Sequence, residues 1–146
     1  MQFGIIESVY YWGQYRPSTV AVLANGTDVT YRELCARIDS VAQQLEGLTD
    51  GRIGALCVRK LDYMVAVLAI LRAGKSVVLL NPGLSEEALK VNVEDTSINY
   101  AVVDEEFQEV SKRIGLKPIR QHASGVADSW SAGEALSRLP QAGPHD

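Results

Sequence analysis

Three short apolar runs alternate with helical segments in the middle of the chain, and this alternation constrains the fold more than any other feature. The runs lie at 53–58, 76–80 and 98–103, and each is apolar with few interruptions. Strands buried on both faces of a sheet have this pattern, whereas half-exposed strands alternate apolar with polar residues. Segments of helical character separate the runs, at 61–73 and 85–96. The sequence therefore predicts an α/β fold with a mostly parallel sheet flanked by helices.

The N-terminal part of the chain predicts two helices separated by a small β-hairpin. The first helix is expected from Gly4 to Tyr15. Its apolar face is predicted from residues at helical spacing, namely Ile5, Ile6, Val9 and either Trp12 or Gly13. The hairpin is indicated by Asn25-Gly26, a dipeptide preferred in tight two-residue turns. The second helix begins at Thr30, because Thr30 and Glu33 have the spacing of a capping box, and Gly47 is placed to end it.

The C-terminal part predicts one more helix and one more strand before the chain changes character. We expect the helix over 104–113 and the strand over 117–121, which complete an α/β unit spanning residues 1–121. The remaining residues, 122–146, are rich in Ala, Gly, Ser and Pro, and only Ser131–Leu139 has helical character. This last stretch is therefore predicted to be a tail or linker.

Composition and charge argue against several classes of partner. The net charge is −4, and no dense basic stripe is present, which argues against nucleic acid or a membrane surface as a partner. The longest apolar run, 64–71, is too short to span a bilayer. The N-terminus lacks a basic residue ahead of its apolar part and does not predict a secretory signal. Cys35 and Cys57 stand in different elements without C-x-x-C spacing, which favours packed, reduced thiols and a cytoplasmic location.

The stretch AILRAGKS, at 69–76, has the spelling of a Walker A phosphate loop if Ala69 replaces the first glycine. Such a loop needs a strand before it and a helix after it, so that backbone amides converge on the phosphates. Here the order is reversed, because a helix leads in and a strand leads out. Gly74 is then expected to end the helix in a left-handed conformation, and Lys75 to meet the negative end of the helix dipole. An independent nucleotide-binding domain is therefore disfavoured.

No other group of residues predicts a catalytic, cofactor-binding or metal site in this chain. The two histidines, His122 and His145, lie in the predicted tail without carboxylates or thiols arranged around them. The acidic run Asp104-Glu105-Glu106 ends a strand at the carboxyl edge of the predicted sheet, where α/β sites tend to lie and a metal could bind. Acidic residues that open a helix explain this run as well, and we favour that interpretation.

Aromatic residues are concentrated in the first predicted helix. They are Tyr10, Tyr11, Trp12 and Tyr15. This density is typical of a contact surface, but helical spacing also allows some of these side chains to face the core. Core packing is the favoured interpretation, and a contact surface stays open as the alternative.

Four segments in register resemble the adenylate-forming enzymes, the superfamily of acyl- and aryl-CoA synthetases, peptide-synthetase adenylation domains and luciferases. VTYREL at 29–34 resembles the family's LTYxEL box. The segment 59–82 is similar to its second box, an apolar helix ending in K/R-A-G before a strand that ends in L-[DN]-P. LSEEALKVNVED at 84–95 and INYAVVDEE at 98–106 resemble the helix and strand that follow. The order and spacing agree over about residues 5–110.

The resemblance also implies what this chain does not contain. In the family the Ser/Thr/Gly-rich phosphate loop, the aromatic-Thr-Glu segment, the ribose-binding Asp, the hinge and the catalytic Lys lie downstream, and they have no counterpart here. Residues 122–146 would lead toward the phosphate loop. ATP, Mg²⁺ and CoA or a carrier phosphopantetheine are implied for the whole enzyme, with none bound by this chain. The Asn81-Pro82 ending is more usual in CoA synthetases, whereas Asp-Pro prevails in peptide synthetases.

The sequence therefore predicts the N-terminal subdomain of an ATP-dependent acyl-adenylate-forming ligase, structural and catalytically silent alone. The alternative is a free-standing interaction module from a truncated or split relative. The expected partner is the remainder of the enzyme or another protein, bound through exposed apolar surface, and a homo-oligomer is a further option. Neither nucleic acid nor a membrane is expected as a partner.

Overall fold

The structure, a computed structural model, describes residues 4–24 and 27–121. Its elements in chain order are α1 (Ile5–Tyr15), β1 (Val20–Ala24), β2 (Thr27–Thr30), α2 (Tyr31–Glu46), β3 (Arg52–Leu56), α3 (Lys60–Arg72), β4 (Ser76–Leu79), α4 (Glu86–Thr96), β5 (Tyr100–Val103), a 3-10 turn (Glu105–Phe107), α5 (Gln108–Arg113) and β6 (Lys117–Arg120). The α/β fold predicted from the sequence is confirmed. The turn at Asn25-Gly26 and the helix at Ser131–Leu139 lie outside the described residues, and the domain division at residue 121 stays a prediction.

The strands form one parallel sheet and one separate hairpin. The four-stranded sheet has the order β4-β3-β5-β6, so β3 and β5 are central while β4 and β6 form its two edges. All three of its strand pairs are parallel. The strands β1 and β2 form the predicted antiparallel hairpin, which packs against α2.

Helices cover both faces of the parallel sheet. On one face α2 and α3 pack over Ile53 and Ala55 of β3 and Val102 of β5, and α1 packs against both helices. On the other face α4 and α5 pack over Leu56 and Val103. Neighbouring residues of one strand point to opposite faces, which explains why both central strands are apolar at consecutive positions.

Local signals set the helix ends as the sequence predicts. The Thr30 hydroxyl accepts a hydrogen bond from the Glu33 backbone N–H (3.2 Å) and begins α2. At the end of α3, Gly74 has φ 78°, and its N–H donates to the carbonyl of Leu71 (2.9 Å). The next N–H, of Lys75, donates to the Ile70 carbonyl (3.1 Å), which completes a Schellman motif.

The apolar face predicted for α1 is only partly right. Ile6, Tyr10 and Gly13 are the buried residues, whereas Ile5 is 61% exposed and Trp12 is 42% exposed. The buried set has the spacing four and three, which fits a helix face as well as the predicted set does. The packing of α1 on α2 and α3 selects between these two faces, and this information is not local to α1.

Candidate functional site at the carboxyl edge of the sheet

Asp104 lies at the carboxyl end of the central strand β5, and its side chain is directed inward. The residue is 4% exposed, and its Oδ2 atom accepts hydrogen bonds from the backbone N–H groups of Val58 (2.6 Å) and Arg59 (3.2 Å). Arg59 is the N-cap of α3, so the carboxylate faces the positive end of that helix dipole. Asp104 therefore joins the end of β5 to the turn between β3 and α3.

The other members of the acidic run have different surroundings. Glu105 is exposed, and Glu106 forms an exposed ion pair with the Arg59 guanidinium (3.4 Å). The same guanidinium lies 4.0 Å from the carboxylate of Asp62 in the first turn of α3. Among residues 4–24 and 27–121, no group of three or more His, Cys, Asp or Glu could hold a metal ion. Glu105 and Glu106 lie in the first turn of the 3-10 turn, as the helix-opening interpretation expects, whereas Asp104 makes no side-chain capping bond there.

Burial and charge change the pKa values of two groups at this edge. Burial, and then the nearby Asp104 carboxylate, raises the pKa of Asp62, while the guanidinium of Arg59 opposes this effect. Burial, followed by the charges of Asp104 and Asp62, raises the pKa of the Cys57 thiol to about 12. A thiol with so high a pKa stays protonated near neutral pH and is a poor nucleophile. The Gln121 side chain covers the edge, since its Nε2 donates to the Asp62 carbonyl (2.7 Å).

Cys35, the second thiol, is equally inert. Its side chain is buried against α1, where the Sγ lies 3.5 Å from the Val9 carbonyl. Burial, and then the charge of Asp39, raises its pKa to about 12. Both cysteines are therefore packed residues, as the sequence predicts.

Lys75, the lysine of the AILRAGKS stretch, is engaged within the protein. Its Nζ donates hydrogen bonds to the backbone carbonyls of Leu48 (2.8 Å) and Asp50 (2.6 Å), in the connection between α2 and β3. The carbonyls that Lys75 reaches belong to a neighbouring loop, and its predicted interaction with the dipole of α3 stays a prediction. The order helix, Gly74, strand is confirmed and does not build a phosphate loop.

The aromatic residues of α1 divide between core and surface. Tyr10 is completely buried, whereas Tyr11, Trp12 and Tyr15 are between 40% and 59% exposed. The exposed rings contact one another, with centroids of Tyr11 and Tyr15 4.6 Å apart, and Trp12 lies 6.4 Å from the ring of Tyr31. Core packing is therefore confirmed for Tyr10, while a contact surface formed by the exposed rings stays a prediction.

The two histidines considered as candidate bases, His122 and His145, lie outside the described residues.

Within the described part of the chain, no helix is long and apolar enough to cross a membrane. Sequence reasoning missed Asp62 and Gln121 at the carboxyl edge, because their contacts join residues more than forty positions apart. The only sequence signal for this edge is the position of Asp104 at the end of an apolar strand.

A comparison with protein-family models matches residues 10–142 to the family described as AMP-binding enzyme. The chain belongs to this family, and it corresponds to the N-terminal subdomain that the sequence motifs indicate.

Curated relatives include two kinds of enzyme. The chain is 31% identical over 124 residues to a linear gramicidin synthase of Brevibacillus parabrevis, which covers 83% of the chain and 2% of the relative. It is 30% identical over 98 residues to 2-succinylbenzoate–CoA ligase of Escherichia coli (strain K12), which covers 64% of the chain and 21% of the relative. The chain thus spans a small part of the length of these relatives.

A solved structure supports the fold. The nonribosomal peptide synthetase FmoA3, in a form bound to α-methyl-L-serine-AMP, superposes with a TM-score of 0.70 at 19% identity. The superposition covers 87% of this chain and 15% of that one. The similarity extends over nearly all the described elements, so the three-layer arrangement is shared with that synthetase.

Proposed function

We propose that this chain is the structural N-terminal part of an acyl-adenylate-forming ligase and is catalytically silent alone. The whole enzyme would activate a carboxylate with ATP and pass the acyl group to CoA or to a carrier phosphopantetheine. The observation that carries the proposal is the family match over residues 10–142. The relative named 2-succinylbenzoate–CoA ligase supports CoA as one acceptor, whereas the carrier phosphopantetheine depends on the family resemblance. The Asn81-Pro82 ending is more usual in CoA synthetases, and the inference that CoA is the acceptor stays a prediction.

The polar groups that the sequence offers for ATP or magnesium are engaged in contacts within the described part of the chain. Lys75, the one lysine in a phosphate-loop spelling, donates hydrogen bonds to the backbone carbonyls of Leu48 and Asp50, so its ammonium group is engaged within the protein. Asp104 accepts hydrogen bonds from two backbone amides, and the described part of the chain contains no group of three or more His, Cys, Asp or Glu that could hold a metal ion. These polar groups stabilise the fold, which supports a scaffold role for this part of the enzyme. No step of the adenylation reaction is assigned to them.

The silence of the chain is tested by ATP–pyrophosphate exchange with the 146-residue protein and a panel of aliphatic, aromatic and amino acids. We expect no carboxylate-dependent exchange. A curated relative that is assayed in parallel shows that the assay works. Carboxylate-dependent turnover by the chain itself would contradict its silence while leaving the family assignment intact.

The ligase role is tested separately, by reading the coding sequence beyond Asp146. We expect it to continue into a Ser/Thr/Gly-rich loop and a later Lys, and the longer protein to catalyse the exchange with at least one carboxylate. A longer protein that contains both features and catalyses no exchange with any acid of the panel would contradict the role.

The second candidate is a free-standing interaction module, favoured by the exposed rings of Tyr11, Trp12 and Tyr15. Binding of an apolar fluorescent dye to the native chain tests whether the exposed apolar surface that this role requires is present. We expect dye fluorescence that falls in the double variant Tyr11→Ser, Tyr15→Ser, and a chain that binds no dye would contradict the idea.

The inert, buried thiols of Cys35 and Cys57 support the further proposal that the protein works in the reducing cytoplasm.

A further inference from the structure

The two edges of the parallel sheet differ in how they are protected. An edge strand exposes unpaired N–H and C=O groups that can pair with another chain, and proteins commonly block such edges with charges or proline. β6 has the sequence KPIR, with Lys117 and Arg120 exposed and Pro118 between them. β4 has the sequence SVVL, without charge or proline. The β4 edge therefore lacks the usual protection against strand pairing.

The hydrogen bonds of β6 show how the outer side of this edge strand is protected. The Lys117 N–H donates to the Asn99 carbonyl, so alternate residues, Pro118 and Arg120, direct their backbone groups outward. Pro118 has no N–H to offer, and the outward carbonyl of Arg120 accepts a hydrogen bond from the Gln44 side chain (2.9 Å). The outer side of β6 is thus protected by Pro118 and by the Gln44 side chain of α2.

The same alternation leaves β4 open. The Ser76 N–H donates to the Gly51 carbonyl (2.9 Å) and the Leu80 N–H to the Ala55 carbonyl (3.1 Å), so the residues between these positions that bond outward are Val77 and Leu79. Among the described residues, no hydrogen bond reaches their outward N–H and C=O groups. Leu79 is also 65% exposed, one of the most exposed large apolar side chains in the described chain.

We propose that β4 pairs antiparallel with β4 of a second copy of this chain, so that two four-stranded sheets become one. With the two-fold axis at Val78, Val77 of one copy lies opposite Leu79 of the other, and the same pair repeats across the axis. These two pairs exchange hydrogen bonds through the groups that are open in the single chain, while Val78, which bonds to β3, forms the non-hydrogen-bonded pair. The register thus satisfies the open backbone groups of both copies.

The side chains suit this pairing. A two-fold axis perpendicular to the sheet keeps each face on its own side, so exposed Leu79 packs against half-buried Val77 of the partner copy. No charged residue occurs from Ser76 through Ser85, so the paired strands bring no like charges together. Two-fold symmetric dimers are the commonest homo-oligomers, and they need one self-complementary surface of this kind. The four-residue strand is short compared with stable interfaces of about 1,200–2,000 Å², so the dimer should dissociate on dilution.

The experiment is sedimentation velocity over a concentration series with the 146-residue chain. We expect a reversible monomer–dimer equilibrium whose dissociation constant increases about tenfold or more in Leu79→Lys, which brings two charges together at the pairing site. Leu23→Lys is the matched control, since Leu23 is 76% exposed in β1, on the other sheet. This variant should dimerise like the wild type.

A second variant and a second measurement keep the proposal falsifiable if Leu79→Lys folds poorly. Leu79→Pro removes one outward N–H per copy and leaves the bonds from β4 to β3 in place, so it should also weaken the dimer. Hydrogen exchange should show protection of the Val77 and Leu79 amides that increases with protein concentration. A chain that stays monomeric throughout, or a dimer that is insensitive to both variants at Leu79, would overturn the proposal. Monomers would direct the search to a strand from another polypeptide.

Discussion

The guanidinium of Arg72 lies 3.0 Å from the carboxylate of Asp39, and these side chains are 1% and 5% exposed. The pair joins α3 to α2 within the layer of helices that covers one face of the sheet. The same guanidinium reaches the Glu46 carboxylate at 3.1 Å and lies 6.0 Å from the centre of the Tyr10 ring. Three helices therefore meet at one buried cation, with Tyr10 contributed by α1.

Removing one partner of this buried pair should destabilise the protein strongly. Asp39→Asn removes the buried negative charge that faces the Arg72 guanidinium, which should lower the free energy of unfolding by about 3 kcal/mol or more. Glu46→Gln is the matched control, because the Glu46 side chain is 43% exposed and its ion pair should contribute about 1 kcal/mol or less. Urea unfolding at neutral pH measures both. Equal losses in the two variants would contradict a dominant role for the buried pair.

Alanine substitutions at two uncrowded glycines should show the effect of backbone conformation on stability. A Cβ atom at Gly115 or at Gly47 would meet nothing within 4 Å, but Gly115 has φ +90° and Gly47 has φ −79°. Gly115→Ala should therefore cost about 1–2 kcal/mol from the left-handed conformation alone. Gly47→Ala should be neutral or stabilise the protein by up to about 1 kcal/mol, because it restricts the unfolded chain. Thermal unfolding of both variants checks the difference, and similar shifts in Tm would contradict it.

The sequence predicts those parts of the fold that local chemistry determines. The strand runs are continuous apolar segments, and Thr30, Ser85 and Gly74 begin or end helices through bonds to residues within five positions. The order of the elements then excludes a phosphate loop at 69–76 without any tertiary information. The family resemblance depends on the same local order.

Contacts between distant residues are the part that the sequence does not predict. Asp104 meets Val58 across 46 positions, and Arg72, at the end of an apolar helix, meets Asp39 across two helices. A pattern that reports only which side of a helix is apolar cannot identify these partners. Lys75 shows the same limit, because its charge suits the end of α3 while its bonds are made to a neighbouring loop.

Lys75 should contribute to stability and not to nucleotide binding. Lys75→Met removes two charge-assisted hydrogen bonds to the carbonyls of Leu48 and Asp50, with an expected cost of about 1–3 kcal/mol in urea unfolding. Lys90→Met, at an exposed position of α4, is the control and should change stability by about 0.5 kcal/mol or less. Calorimetric titration with ATP and Mg²⁺ should give no binding heat for wild type or Lys75→Met. Saturable binding that Lys75→Met abolishes would restore the phosphate-loop interpretation.

Two carboxyl groups should give stability profiles of opposite sign as the pH is lowered. The pKa of Asp62 is raised above its usual 3.8, by burial first and then by the charge of Asp104, with a smaller contribution from Glu106; Arg59 and Arg37 oppose the shift. The folded protein then binds a proton at Asp62 more tightly than the unfolded chain does. The contribution of Asp62 to stability is therefore fully present below 3.8 and is lost as the pH rises through the raised folded pKa.

The variants Asp62→Asn and Glu86→Gln test this difference in sign. The stability of the wild type relative to Asp62→Asn should rise as the pH falls from neutral toward 3.8. A hydrogen bond from Arg113 lowers the pKa of exposed Glu86 below its usual 4.5, so its contribution is present above 4.5 and is lost as the pH falls through the folded pKa. The wild type should thus lose stability relative to Glu86→Gln as the pH falls below 4.5 and through the lowered pKa of Glu86. Urea unfolding at a series of pH values measures both differences, and two profiles of the same sign would contradict the assigned environment of Asp62.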